Sequence, residues 1–305
     1  MPRKLQGLIA AVFTPMHDDV SLKLSMVEPI VEFLIKEKIT GLYVCGSTGE
    51  GPSLTSEERK LTAEAYVNAA RGRLPVIVQV GHQSIAEAQS LAAHARQIGA
   101  DAIAAIPPAY FKIDSLDVLL DCLDIVNTAA PGLPFYYYHI PAFTGVDFDM
   151  VEFLKKGKDR LPNLAGIKFS KPMVHEFQAC VAFDNQRYDI LFGVDEMLTS
   201  SLAAGALGAV GTTYNFAAPL YNRIIQAFQN GEVAEAQKLQ QLSVDMVRLV
   251  VRYRGMPAFK SLMKIIGFDC GPPRLPLVCL TPIEEDSLQK ELKAIGFFDW
   301  ARGKE

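Results

Sequence analysis

A short apolar run followed by a stretch of helical spacing recurs eight times along this chain, and no other feature narrows its fold so far. The apolar runs are 8–15, 41–46, 75–81, 102–108, 135–141, 164–170, 190–195 and 208–215. Between them lie helical patterns such as Val27, Ile30, Val31, Leu34 and Ile35 within 25–38, the spacing of one buried helix face. Thr55-Ser56-Glu57-Glu58 and Ser84-Ile85-Ala86-Glu87 each set a hydroxyl three residues before an acid, the pattern that opens a helix. The remaining helices are expected over 115–128, 149–156, 174–183, the stretch ending at 204, and 219–229.

Apolar strands alternating with amphipathic helices imply parallel strands covered by helices, and eight such units imply a closed (β/α)8 TIM barrel. An open doubly wound sheet is the structural alternative. It advertises a glycine-rich turn after its first strand, and Thr14-Pro15-Met16-His17 is not one. The barrel is expected over 1–230, with 231–305 a C-terminal helical extension of the same unit that covers the barrel or makes a subunit contact. Its helices are read over 233–253, 257–266 and 281–295, with a rigid proline-rich link at 271–276.

Half of the 305 residues are apolar and 21% are charged, enough to bury a large core and remain soluble. The net charge of −4 leaves no basic excess for a nucleic-acid backbone. The first seven residues carry no cleavage site for a secretory signal, and no apolar run reaches the ~18 residues that a membrane span requires. Five scattered cysteines without a C-x-x-C, and five histidines without ligand spacing, point to reduced thiols in the cytosol and to no metal site.

Chemistry in such a barrel sits at the C-terminal ends of the strands. The sixth run, Leu164-Ala165-Gly166-Ile167-Lys168-Phe169-Ser170, carries a lysine in its middle. Strand alternation puts Gly166, Lys168 and Ser170 on one face and Ala165, Ile167 and Phe169 on the other. A lysine facing into a barrel must be paired, neutralised or in use. As an amine nucleophile toward a ketone it would have to be neutral, against a free-lysine pKa of about 10.4. The other strand ends supply Ser47 and Thr48, Tyr138, Gly193, Asp195 and Glu196, and Gly211 and Thr212. Tyr138 could move a proton. The hydroxyls and N–H groups of the Ser47-Thr48 turn could hold a carboxylate. Asp195 and Glu196, read as facing outward, suit substrate hydroxyls and would repel a phosphate, which weighs against sugar-phosphate aldolases and pyridoxal-phosphate enzymes. Singly, each has a commonplace reading: an ordinary turn, a core aromatic, acids at a helix start. Their joint occurrence at the strand ends of one barrel is what points to a site.

Gly46-Ser47-Thr48-Gly49-Glu50, Tyr138-His139-Ile140-Pro141-Ala142 and Gly166-Ile167-Lys168-Phe169-Ser170 resemble the motifs of the N-acetylneuraminate lyase and dihydrodipicolinate synthase family of pyruvate-handling class I aldolases. The resemblance runs from Leu8 through the C-terminal helices. It implies that Lys168 forms a Schiff base with pyruvate, that Tyr138 relays protons, and that Ser47, Thr48 and the Gly211 backbone bind the pyruvate carboxylate. It also implies that no metal or organic cofactor is used. Ser47-Thr48, the apolar Phe143 and Gly193-Val194-Asp195-Glu196 resemble the lyase branch, which implies reversible cleavage of N-acetylneuraminate to N-acetylmannosamine and pyruvate. An aldolase for another 2-keto sugar acid is the alternative within enzymes, and a catalytically silent sugar-acid-binding barrel is the alternative outside them. Ser170 and Thr212 stand where related lyases often have threonine and serine, which keeps the hydroxyls and leaves polyol preference open. Tyr110 resembles the family's aromatic that reaches toward a neighbouring subunit, and the resemblance implies a cytoplasmic homotetramer.

Overall fold

The computed structural model describes residues 4–301, so the extreme ends of the N-terminal stretch and of the 231–305 extension lie outside the described residues. Eight strands form one closed parallel barrel: β1 (Gly7–Ala11), β2 (Gly41–Val44), β3 (Val76–Gln79), β4 (Ala102–Ala105), β5 (Phe135–His139), β6 (Leu164–Phe169), β7 (Asp189–Phe192) and β8 (Gly208–Gly211). Strands pair in sequence order, and β8 returns to β1 through Leu8↔Ala209 and Ile9↔Val210. Outside lie α1 (Val27–Lys36), α2 (Ser56–Ala70), α3 (Ile85–Gln97), α4 (Leu116–Thr128), a short α5 (Pro141–Thr144), α6 (Met150–Arg160), α7 (Val174–Gln186), α8 (Leu198–Ala203) and α9 (Tyr214–Gln229). The chain ends in α10 (Val233–Arg252), α11 (Met256–Ile265), α12 (Pro282–Ala294) and α13 (Phe297–Trp300).

Local chemistry accounts for the boundaries. Thr55 accepts from the Glu58 N–H while Glu58 returns a bond to the Thr55 N–H, a complete capping box at the start of α2, a motif whose cap residue contributes ~1 kcal/mol. Ser84 caps α3 through the Glu87 N–H, but the Glu87 carboxylate turns to Ser56 Oγ at 2.5 Å, so only half of that box forms. The strands are shorter than their apolar runs because the run ends continue into the mouth loops. α9 joins two helical segments across Ala217 (φ −137°, ψ 23°), so the helix expected over 219–229 is its second part, and Pro219 falls in the turn after that break. There its missing N–H costs little.

The interior is filled by Ile9, Ala11, Tyr43, Ile77, Ala102, Ala104, Tyr136, Tyr138, Ala165, Leu191 and Val210. Opposite-facing residues such as Leu8, Leu42, Ile103, Phe135, Ile167 and Phe192 pack against the helices. Each such apolar side chain contributes about 1.5–3 kcal/mol on burial. Ala165 corrects the simple alternation. Pairing along β5 and β6 jumps from Phe135↔Leu164 to Tyr136↔Gly166, so one extra residue enters β6 and Ala165 also faces inward. Beyond that bulge the alternation is regular, and Lys168 faces the interior. Leu239, Met246, Leu262, Leu288 and Phe297 of the C-terminal helices belong to the same apolar cluster as Leu8 and Phe13 of the barrel.

Candidate active site

Strand register brings the first two functional groups together. Tyr138 and Lys168 are direct partners across β5 and β6. The Lys168 side chain is buried, 4% exposed, and its amine makes no hydrogen bond or ion pair among the described residues. Its Nζ instead lies 3.9 Å from the centroid of the Tyr138 ring and 3.9 Å from that of Tyr43. The two rings meet edge to face at 5.6 Å. An amine held by two aromatic faces and no carboxylate is fixed in place but free to form a new bond at nitrogen.

Ser47 Oγ lies 3.4 Å from the Tyr138 hydroxyl, and Thr48 Oγ1 lies 2.6 Å from Thr212 Oγ1. The turn after β2 is therefore tied to β5 on one side and to the end of β8 on the other. Thr14 Oγ1 donates to the Gly49 carbonyl at 2.6 Å and supports the turn from below. Ser170 and Gly193 adjoin closely: a Cβ on Gly193 would sit 2.0 Å from Ser170 Oγ. Only glycine permits that approach.

Asp195 differs from the sequence reading. Its carboxylate does not face outward; it is buried, 8% exposed, and Oδ2 accepts the Thr213 N–H at 2.8 Å and the Thr213 hydroxyl at 2.6 Å. The carboxylate lies against the backbone of Gly211, where a Cβ would stand 2.1 Å from Oδ1. Thr213 Oγ1 is also 2.6 Å from the Tyr221 hydroxyl, which is 2.7 Å from Ser243 Oγ. With one proton on Thr213, the hydroxyl donates to Asp195 and accepts from Tyr221. Burial pushes the Asp195 carboxyl up to about 6, against the lowering effect of the Thr213 hydrogen bonds and of the nearby Lys168 charge. The physical reason for the reorientation is that β7 ends at Phe192, and a 3-10 turn at Asp195–Met197 aims the side chain across to β8. Glu196, half-buried, makes no hydrogen bond or ion pair among the described residues.

Tyr110 is not part of this cluster. It is 83% exposed, packs edge-on against Phe111 at 5.1 Å, and its N–H is held with that of Ala109 by Gln83 Oε1, each at 2.9 Å. Tyr43 is the residue that sequence reasoning missed. It is the one phenol of run 41–46, and strand parity around it would have pointed its ring inward. Its buried hydroxyl has no hydrogen-bond partner among the described residues. Arg59 was missed as well: its buried guanidinium donates to the Gly81 carbonyl at 2.9 Å and to Gln79 Oε1 at 3.1 Å, which ties α2 to the end of β3.

Among the described residues no group of three or more His, Cys, Asp or Glu is placed to hold a metal ion, and no helix is long and apolar enough to cross a membrane.

Known proteins resemble this chain over almost its full length. N-acetylneuraminate lyase of Xenopus tropicalis is 42% identical over 279 residues, which covers 90% of this chain and 91% of that protein. The structure of Proteus mirabilis N-acetylneuraminate lyase matches with a TM-score of 0.94 and 40% identity, over 97% of this chain and 100% of that one. A Ruminococcus gnavus sialic acid aldolase, solved as a catalytic lysine mutant, matches with a TM-score of 0.89 and 28% identity over 96% of each chain. The model of the dihydrodipicolinate synthetase family matches residues 4–295. On that match and on these full-length relatives, the chain belongs to the dihydrodipicolinate synthetase family.

Proposed function

We propose that this chain is a class I aldolase, a carbon–carbon lyase that reversibly cleaves N-acetylneuraminate to N-acetylmannosamine and pyruvate. The observation that carries the reading is Lys168: a buried amine that makes no ion pair among the described residues, directly across the strand pair from Tyr138. The substrate comes from the lyase relatives, which share about 40% identity with it.

Neutral Lys168 attacks the C2 ketone and water leaves, which forms an iminium. That cation accepts the electron pair of the bond between the carbon beside it and the hydroxyl-bearing carbon. Tyr138 relays the proton of that hydroxyl, accepting it as it passes its own on toward the enamine carbon, while the hydroxyl becomes the aldehyde of the departing sugar. The enamine left on Lys168 is protonated on carbon, and hydrolysis releases pyruvate. The iminium is the only electron sink required, so the proposed reaction uses neither metal nor organic cofactor. Ser47, Thr48 and the Gly211 backbone bind the carboxylate. Ser170, Gly193, Thr212 and Glu196 line the route of the hydroxylated tail, while Asp195 shapes that wall through Thr213. The reading includes a cytoplasmic homotetramer, and the exposed Tyr110 and Phe111 pair supports a contact of this edge with a neighbouring subunit.

Pyruvate release from N-acetylneuraminate by the purified protein, with a chelator present, tests the reading. Release that persists, together with a borohydride-stable pyruvate adduct on Lys168, is expected. Absence of the adduct at saturating pyruvate would overturn the mechanism; an adduct without turnover of N-acetylneuraminate would overturn the substrate.

A further inference from the structure

The turn that carries Ser47 and Thr48 is held by the C-terminal extension through Glu50. Its two flanks, Cys45 (φ 59°) and Glu50 (φ 52°), are non-glycine residues in the left-handed region, a conformation that persists only when the surroundings impose it. Within the turn the Glu50 N–H donates to the Ser47 carbonyl at 3.1 Å and the Gly51 N–H to the Gly46 carbonyl at 3.0 Å. The conformation of Glu50 and the placement of Ser47 and Thr48 are therefore one closed unit.

The Glu50 carboxylate meets its partners in the C-terminal extension. Oε1 lies 2.6 Å from Lys260 Nζ on α11, and both side chains are almost fully buried. Oε2 accepts the Arg274 N–H at 2.7 Å, and Lys260 also donates to the Pro272 carbonyl at 2.9 Å. The Arg274 guanidinium then grips Glu58, the capping acid of α2, at 2.7 Å, the Ser53 carbonyl at 3.0 Å and the Val20 carbonyl at 2.9 Å. The stretch 271–276 is thus a strap across the loop between β2 and α2 rather than a spacer. A buried ion pair is poor value as a source of stability, since an apolar pair of the same volume holds a fold as well. What it supplies is direction: it accepts one orientation of Glu50 only.

We propose that Lys260 is a positioning residue for the substrate carboxylate: it fixes Glu50, and through Glu50 it sets Ser47 and Thr48 in the geometry that receives the acid. The C-terminal extension is on this account a working part of the site. The inference rests on the reading of Ser47-Thr48 as the carboxylate-binding turn.

Borohydride trapping tests it with two ketones, pyruvate and acetone, which lacks the carboxylate. The variants are Lys260→Met, Lys260→Arg and the double change Glu50→Gln with Lys260→Met, which leaves no unpaired buried charge. In Lys260→Met and the double variant the half-saturating pyruvate concentration rises about 10- to 100-fold, while the trapping rate at saturation and the rate with acetone stay near wild type. Lys260→Arg keeps the charge and restores most of the discrimination. The pyruvate-to-acetone ratio is taken at a pyruvate concentration below the wild-type half-saturation, where the expected shift lowers it; because it is read on whatever fraction of a variant folds, partial unfolding lowers both rates and leaves it unchanged. A ratio unchanged from wild type in the double variant overturns the proposal, as does equal loss in the methionine and arginine variants. Failure of wild type to trap pyruvate at all would instead overturn the aldolase reading.

Discussion

The floor and the mouth of the barrel are built from the same strands and do opposite things with the same side chains. Tyr136 and Tyr138 stand two residues apart on the inner face of β5. At the floor, the Tyr136 hydroxyl donates to Asp189 Oδ2 at 2.8 Å, and the same oxygen accepts the Leu5 N–H at 3.0 Å. Burial pushes both groups up, the phenol with the added push of the Asp189 charge, the acid against these hydrogen bonds. Phenol and acid are enclosed and satisfied by each other. At the mouth, among the described residues, the Tyr138 hydroxyl has only Ser47 Oγ at 3.4 Å, and the amine beside its ring makes no ion pair. A polar group whose hydrogen bonds are complete holds the fold; one left incomplete in a shaped cavity is available to a substrate.

Removing the groups one at a time sharpens that contrast. Lys168→Ala at the mouth is expected to lose on the order of 10⁴-fold or more in kcat, with a thermal midpoint close to wild type; residual turnover above that level would break the covalent mechanism. Tyr138→Phe removes one hydroxyl and is expected to lower kcat by about 10³-fold with little change in stability, measured by steady-state kinetics alongside a melt.

Asp195 supplies a pH signature. Its folded pKa of about 6 lies above the unfolded value near 3.8, so the folded state binds the proton more tightly. The stabilisation from that proton is complete below about pH 4 and is lost as pH rises through 6. Wild type should therefore lose on the order of 2–3 kcal/mol more than Asp195→Asn between pH 4 and 7, read from urea midpoints. Parallel pH profiles for the two proteins would show that the carboxyl is not held as described. The smallest effect belongs to the floor. Tyr136→Phe strips a donor from buried Asp189 and is expected to cost about 1–2 kcal/mol by denaturant titration, while kcat stays within about twofold. Loss of activity there would erase the division between the two ends.

Legibility followed the same line. Lys168 and Tyr138 could be singled out because a lysine or phenol at the end of an apolar strand is locally conspicuous. Tyr43 was passed over because nothing in 41–46 announces that its ring will meet an amine four strands away. Asp195 was singled out in the sequence but read as facing outward, since its orientation depends on where β7 stops and on the space that Gly211 leaves. Glu50 stood inside a recognised motif with no assigned partner, because its partner Lys260 lies on a helix of the C-terminal extension.

What the sequence by itself determined is the order of strands and helices, the closed parallel barrel and the inward face of Lys168. These follow from periodicity and from helix starts, which are properties of a few neighbouring residues. What only the tertiary structure decided is which side chains meet: Tyr43 with Lys168, Asp195 with Thr213, Glu50 with Lys260. Those meetings depend on strand register, on the single extra residue at Ala165 and on the docking of helices far apart in the chain. Each is set by how the whole barrel closes and packs, and local periodicity carries no information about it.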